Sequence, residues 1–161
     1  MPLPSPPRGV KAIPWRLPIY LYRSGLGWML GDKFLLLRHR GRKSGKIRFA
    51  VLEIIHSLAE SGFYYVVSGF GTQSNWYQNI LQHSSVEIQV GRKRLAAKAQ
   101  QLSSSEGAEI LIAYAQENPG NLKTLSKLLG YDIEDSPEGI REFGHQIPVI
   151  QFSTTNPTLK D

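Results

Sequence analysis

FLLLRHRGRKSGKIR, residues 34 to 48, decides the fold of this chain. An apolar run, Phe34 to Leu37, leads into a segment bounded by Gly41 and Gly45, and IRFAVLEIIH (47–56) follows as a second strand-like run. Two such runs joined by a short glycine-containing loop read as a β-hairpin. Arg38, Arg40, Arg42, Lys43, Lys46 and Arg48 load that hairpin with positive charge, and no carboxylate lies among them. With Gly41 to Gly45 as the loop, antiparallel register sets Arg40 opposite Lys46 and Arg38 opposite Arg48, all on one face. Like charges facing across strands cost tenths of a kcal/mol to roughly 1 kcal/mol per pair, so such a face favours a bound anion. The alternative is a solvated basic hairpin that discourages edge-to-edge pairing.

The turn itself suggests which anion. In G-R-K-S-G two glycines let the backbone approach closely, exposed N–H groups can form a nest, and Arg, Lys and Ser add charge-assisted bonds to a phosphate. It is not a Walker A loop, because a strand rather than a helix follows it, and no G-x-G-x-x-G occurs after a strand. Classical nucleotide folds are therefore disfavoured.

Composition bounds the rest. A chain of 161 residues with 41% hydrophobic content suits a single core. The absence of cysteine excludes disulfides, thiolate metal sites and cysteine nucleophiles. The opening MPLPSPPRGVKAIP is too polar and proline-rich for a signal peptide, and no apolar run reaches the roughly 18 residues of a membrane span. These features predict a cytoplasmic protein. The net charge of +6 admits nucleic acid, anionic lipid or a phosphorylated cofactor as partner. A second basic cluster, Arg92, Lys93, Arg94 and Lys98, reads as a solvated turn and strand.

Along the chain, residues 1–14 are expected to form a flexible arm and 15–161 a single domain. Trp15 to Leu30 has roughly helical apolar spacing limited by Pro18, Gly25 and Gly27; it could pack on the sheet or make a peripheral membrane contact. Strands are expected at 34–40, 47–56, 63–68, 86–101 (a hairpin turning at Gly91) and 147–153, about six in all, with helices at 74–83, 104–117 and 121–129. The pattern is α+β with a barrel-like, mainly antiparallel sheet.

SGFGTQSNWYQNIL, residues 68 to 81, is the second informative stretch. A strand ends in Ser-Gly-Phe-Gly, and a helix opens near Ser74 with Asn75, Trp76 and Tyr77 in its first turn. Exposed backbone N–H groups and aromatic faces then sit together, suited to a flat conjugated ring whose phosphate reaches the 41–45 turn. The alternative is an ordinary capped helix with Trp76 and Ile80 in the core. His39, His56, His83 and His145 lie far apart without metal-ligand spacing, and no metal is assigned.

LLLRHRGRKSGKIR, then YYVVSGFG, then NWYQNILQHSSVEIQVGRKRLAAKA and a late IPVIQF together resemble the deazaflavin-dependent nitroreductase family over residues 15 to 153. Those are split β-barrel oxidoreductases related in fold to FMN-binding, pyridoxamine-phosphate-oxidase-like proteins. The resemblance implies coenzyme F420 as the cofactor and hydride transfer to a quinone-like or other electrophilic acceptor. It implies that Arg42, Lys43 and Ser44 hold the phosphate with Arg48 adding charge. Ser68, Gly69 and Gly71 would line the ring, and Trp76 and Asn79 would shape the pocket. Ile47 stands where the family commonly has proline, and the loop before Trp76 is shorter and lacks the usual His-Pro. In place of a tyrosine-rich segment before the last strand, the chain has Tyr131 alone, the one candidate for a catalytic proton donor. Alternatives are an FMN-binding or deazaflavin-binding protein without turnover, and a single-stranded nucleic-acid module using Tyr64, Tyr65 and Trp76. A homodimer paired through sheet edges is left open.

Overall fold

The computed structural model describes residues 31–128 and 130–154, so the expected arm and the Trp15–Leu30 helix lie outside the described residues. Seven strands form one antiparallel sheet: β1 (Phe34–Arg40), β2 (Ile47–Glu53), β3 (His56–Leu58), β4 (Phe63–Val67), β5 (Ser85–Val90), β6 (Lys93–Gln101) and β7 (Val149–Thr154). Their spatial order is β2-β1-β5-β6-β7-β4-β3. Residues of β2 and β4 touch although they lie far apart in that order, so the sheet curls towards closure. The expected split-barrel architecture is therefore present.

Among the described residues four helices accompany the sheet: α1 (Asn75–Gln82), α2 (Ser104–Glu117), α3 (Asn121–Leu128) and α4 (Pro137–Gln146). The first three match the sequence expectation closely. Helix α4 was not expected, yet its signals are local. Ser136 accepts a hydrogen bond from the Gly139 N–H, Pro137 occupies the first helical position, and Ile140, Phe143 and Gly144 recur on the buried face. The expected 47–56 strand is split into β2 and the short β3, because Ile54 and Ile55 turn aside to bond Lys33 and Tyr65.

Strand alternation divides the side chains into two cores. The inner, concave face gathers Leu35, Leu37, Ile88, Val66, Ile150 and Phe152, and α1 closes it with Tyr77 and Ile80. The outer face at the β4–β7 end carries Tyr65 and Val149, on which α2 and α4 lay Leu111, Tyr114, Ile140 and Phe143. These helices approach closely, since a Cβ on Gly144 would sit 2.9 Å from the Ala108 Cα. Helix α2 is held at its start by a capping box between Ser103 and Glu106, whose hydrogen bonds keep the Glu106 carboxyl below the usual range.

The hairpin register corrects the sequence reading by one residue. Arg40 faces Ile47, His39 faces Arg48, and Arg38 faces Phe49. Lys46 belongs to the loop: its carbonyl accepts the Gly41 N–H at 2.8 Å, and the chain turns at Gly45 with φ +67°. The expected stack of four cations on one face is thereby broken up. Arg48 joins His39 on the inner face, whereas Arg38 and Arg40 lie on the outer one. There Arg38 stands opposite Glu87 of β5, a cross-strand pairing of unlike charge.

Candidate functional site

The Gly41–Lys46 turn is stiff because its glycine and serine interlock. A Cβ on Gly41 would lie 2.9 Å from the Ser44 Oγ and 3.3 Å from the Lys46 carbonyl, so a side chain there would crowd the turn and shift Ser44. Ser44 Oγ accepts the Lys46 N–H at 3.2 Å, and Gly45 N–H donates to the Gly41 carbonyl at 2.9 Å. Lys43, Ser44, Lys46 and Arg48 are exposed. Among the described residues, the ion pairs are His56 with Glu117 and Arg141 with Glu109, so no carboxylate neutralises the turn.

Helix α1 ties that turn to the barrel. Asn79, on the buried face of α1, receives the Arg42 backbone N–H at 3.1 Å and the Arg42 guanidinium at 2.9 Å, both on Oδ1. Arg42 also reaches the Asn75 Oδ1 at 3.4 Å. On its other side the Asn79 amide lies 3.2 Å from the His39 Nδ1. His39 is only 4% exposed, and its pKa is pushed down to about 4 by burial first and by Arg48 second. It is therefore neutral at physiological pH. Thus the two motifs, 34 residues apart at Phe34 and Ser68, meet through one carboxamide.

The Ser68–Ser74 loop is built to shape rather than to react. Ser68 is fully buried; its N–H donates to the Pro148 carbonyl at 2.9 Å and its hydroxyl to the Gly71 carbonyl at 2.6 Å. Its carbonyl accepts the Gly71 N–H at 2.9 Å. Ser74 precedes α1 but makes no side-chain cap, its hydroxyl lying 3.1 Å from that of Ser68. The N–H groups of Asn75, Trp76 and Tyr77 open α1, where no intrahelical acceptor can reach them, beside the Arg42 guanidinium. A helix start and a fixed guanidinium together favour an anion. Trp76 is half-buried against the inner core, edge-on to Tyr77 with ring centroids 6.4 Å apart, and so presents part of its ring to solvent.

Of the residues singled out in the sequence, Arg42, Lys43, Ser44 and Arg48 sit at the hairpin turn, Asn79 bonds Arg42 there, and Trp76 lies on the same helix as Asn79, against the inner core. Ser68 underlies the neighbouring loop, with Gly71 buried and Gly69 half-buried above it. Tyr131 is not brought there. It lies in the outer core, edge-on to Phe143 with centroids 5.2 Å apart, and its buried hydroxyl finds no partner among the described residues. Tyr64 and Tyr65, the stacking platforms of the nucleic-acid alternative, are 8% and 7% exposed and fill the two cores. A cavity of about 100 Å³ lined by Ala115, Leu122, Lys123 and Ile133 lies at the outer core, away from both motifs. Sequence reasoning missed His39 and Asn75. The signal for His39 was the alternation Leu35-Leu37-His39, which places it on the inner face.

The arrangement suits a phosphate-bearing coenzyme: a basic turn is tied by hydrogen bonds to the start of a helix that a loop of small residues leads into. A family described as F420H(2)-dependent quinone reductase matches residues 21–126. The chain belongs to that family. A Mycobacterium tuberculosis protein named for F420H(2)-dependent quinone reduction is 34% identical over 90 residues, 55% of this chain and 74% of that one. Among solved structures, an F420-H2 dependent reductase superposes with a TM-score of 0.52 at 22% identity, covering 76% of this chain and 96% of its own. A general stress protein 26 relative of the pyridoxinephosphate oxidase family, from Clostridium acetobutylicum, gives 0.52 at 9% identity, covering 85% and 84%. At these identities the superpositions speak for the split barrel. The family supplies the cofactor, coenzyme F420, and the class, oxidoreductase. No helix among the described residues is long and apolar enough to cross a membrane.

Proposed function

We propose that this member of the quinone reductase family holds F420 with its phosphate against the Gly41–Lys46 turn and its ring along the Ser68–Gly71 loop, and reduces a quinone-class acceptor. The observation that carries this placement is the pinned but unneutralised turn. Arg42 is fixed by Asn75 and Asn79, while Lys43, Ser44, Lys46 and Arg48 point their polar groups outward without a carboxylate.

Reduced F420 supplies the hydride, so the protein needs no acid-base dyad to generate the reductant. Its residues position and shield. Lys43, Lys46 and Arg48 offset the charge of the phosphate, and the Ser44 hydroxyl can donate to it while Oγ keeps the Lys46 N–H. The N-terminal N–H groups of α1 add dipolar stabilisation. Ser68, locked in three hydrogen bonds, keeps the Gly69–Gly71 backbone in one shape, and the half-buried Trp76 forms a wall that excludes water. Tyr131 has no part in this reading.

The test is a titration of the protein with F420 and separately with FMN, read by tryptophan fluorescence, followed by turnover of reduced F420 with a quinone. F420 binding that the Arg42→Ala/Lys43→Ala double variant weakens by at least tenfold supports the placement. A preference for FMN, or equal binding by the variant, overturns it. Steeply salt-dependent binding of oligonucleotides in place of F420 would favour the nucleic-acid alternative.

A further inference from the structure

His39 is a buried polar residue for which the coenzyme reading has no use. It sits on the inner face of β1, opposite Arg48, and its ring nitrogen Nδ1 meets the Asn79 amide at 3.2 Å. The orientation of that amide is fixed by its other partners. The Arg42 backbone N–H and the Arg42 guanidinium are both donors and both converge on one atom of Asn79, at 3.1 and 2.9 Å, which must be the carbonyl oxygen. The amide nitrogen then faces His39, so Nδ1 must offer a lone pair and the imidazole proton must be on Nε2. Three groups are thereby locked in series: an imidazole acceptor, a carboxamide and the first residue of the basic turn.

We propose that His39 is a positioning residue for the anion-binding turn, acting through Asn79 to set the orientation that holds Arg42 in place. The proposal rests on the F420 reading for the identity of the anion, and on hydrogen-bond geometry alone for the positioning. A proton on Nδ1 would set two donors against each other. Turning the carboxamide over would only move the conflict, since its NH2 would then face the two donors of Arg42. Either arrangement leaves buried donors unsatisfied and loosens the turn. Charge around His39 opposes that proton. Arg48 faces it from β2, Arg42 stands one carboxamide away, and the single titratable side chain of α1, Tyr77, turns its hydroxyl to Gln101 at 2.7 Å. A neutral acceptor at this place is thus a condition of the site.

The experiment compares His39→Asn, whose carboxamide oxygen can stand near the position of Nδ1, with His39→Leu, which has no acceptor. Two readouts are taken on each: hydrogen exchange of the Arg42 amide without coenzyme, and the Kd for F420 by tryptophan fluorescence. In His39→Leu the Arg42 amide should exchange about tenfold faster and the Kd should rise about tenfold, the size of one buried hydrogen bond. His39→Asn should return both to within about threefold of the parent. Unchanged Arg42 exchange in His39→Leu, or equal losses in both variants, overturns the positioning role and leaves the F420 reading standing. Exchange that follows the expected pattern in a protein that binds no F420 supports the positioning role and sinks the F420 reading. Nitrogen chemical shifts of His39 in the parent protein give a check independent of how the variants fold: a protonated Nδ1 at pH 7 refutes the proposal.

Discussion

The two faces of the sheet solve opposite problems. On the outer face, α2 and α4 bury Phe143, Leu111 and Ile140 against Tyr65 and Val149, and the polar atoms that remain serve the fold. Tyr114, for instance, donates to Glu53 at 3.0 Å, and burial together with that carboxylate pushes its pKa far up. The inner face is equally apolar in its depth but ends, at the hairpin, in His39, Asn79 and Arg42 with unneutralised cations beyond. Burying such groups is costly unless each is paired. Their pairing with one another, and with no carboxylate among the described residues, is what the proposed anion site rests on. The outer core is apolar apart from its tyrosine hydroxyls, of which that of Tyr131 is left without a partner among the described residues.

That contrast can be broken at several points. The largest effect belongs to the outer core. Phe143→Ala should lower stability by about 3–5 kcal/mol in denaturant unfolding while F420 affinity per folded molecule stays within twofold or so. A large loss of affinity in the folded variant would show that the two faces are not separate. Acid comes next. Because the His39 pKa lies at about 4, below the ordinary 6.5, the unfolded chain takes up that proton first. Its contribution to stability is complete above pH 6.5 and is lost as pH falls towards 4, by about 3 kcal/mol over the window. Unfolding at several pH values should show that slope in the parent and its absence in His39→Asn; equal slopes would mean that His39 is not buried neutral.

At the turn, Arg42→Ala should weaken F420 about tenfold to a hundredfold, the value of a charge-assisted hydrogen bond, and cost little more than about 1 kcal/mol in stability. The reverse pattern, a large stability loss with intact binding, would make Arg42 a structural tie only. Smallest is Tyr131→Phe. Its hydroxyl is buried without a partner, so removing it should be neutral or stabilising by up to about 1 kcal/mol, with quinone reduction unchanged. Loss of turnover there would restore Tyr131 as the proton donor and move the acceptor site to the outer face.

Much of this was legible before the structure. The apolar run Phe34 to Leu37, the strand-like run from Ile47, the turn signals at Gly45 and Gly91 and the helical stretch 104–117 are local features, and local features fix strands, turns and helices. Helix α4 is equally local in its Ser136-Pro137 start, although the sequence reading places no helix there. The hairpin register was not legible. It depends on whether the Lys46 carbonyl accepts the Gly41 N–H, and that choice moves every side chain of β2 to the other face.

The sequence by itself determined an α+β chain with a barrel-like antiparallel sheet, the basic turn and the order of the two motifs, because each is written in neighbouring residues through periodicity, glycine placement and charge; the split barrel entered only through the family those motifs resemble. Only the tertiary structure decided that Asn79 reaches Arg42 and His39, that Ser68 is sealed beneath its loop, and that Tyr131 belongs to the other core. The Asn79 contacts join segments 37 to 40 residues apart, the Ser68 N–H reaches across to the Pro148 carbonyl, and the place of Tyr131 depends on which sheet face its neighbours cover. Such outcomes follow from how a curled sheet closes on its helices, which no window of sequence contains.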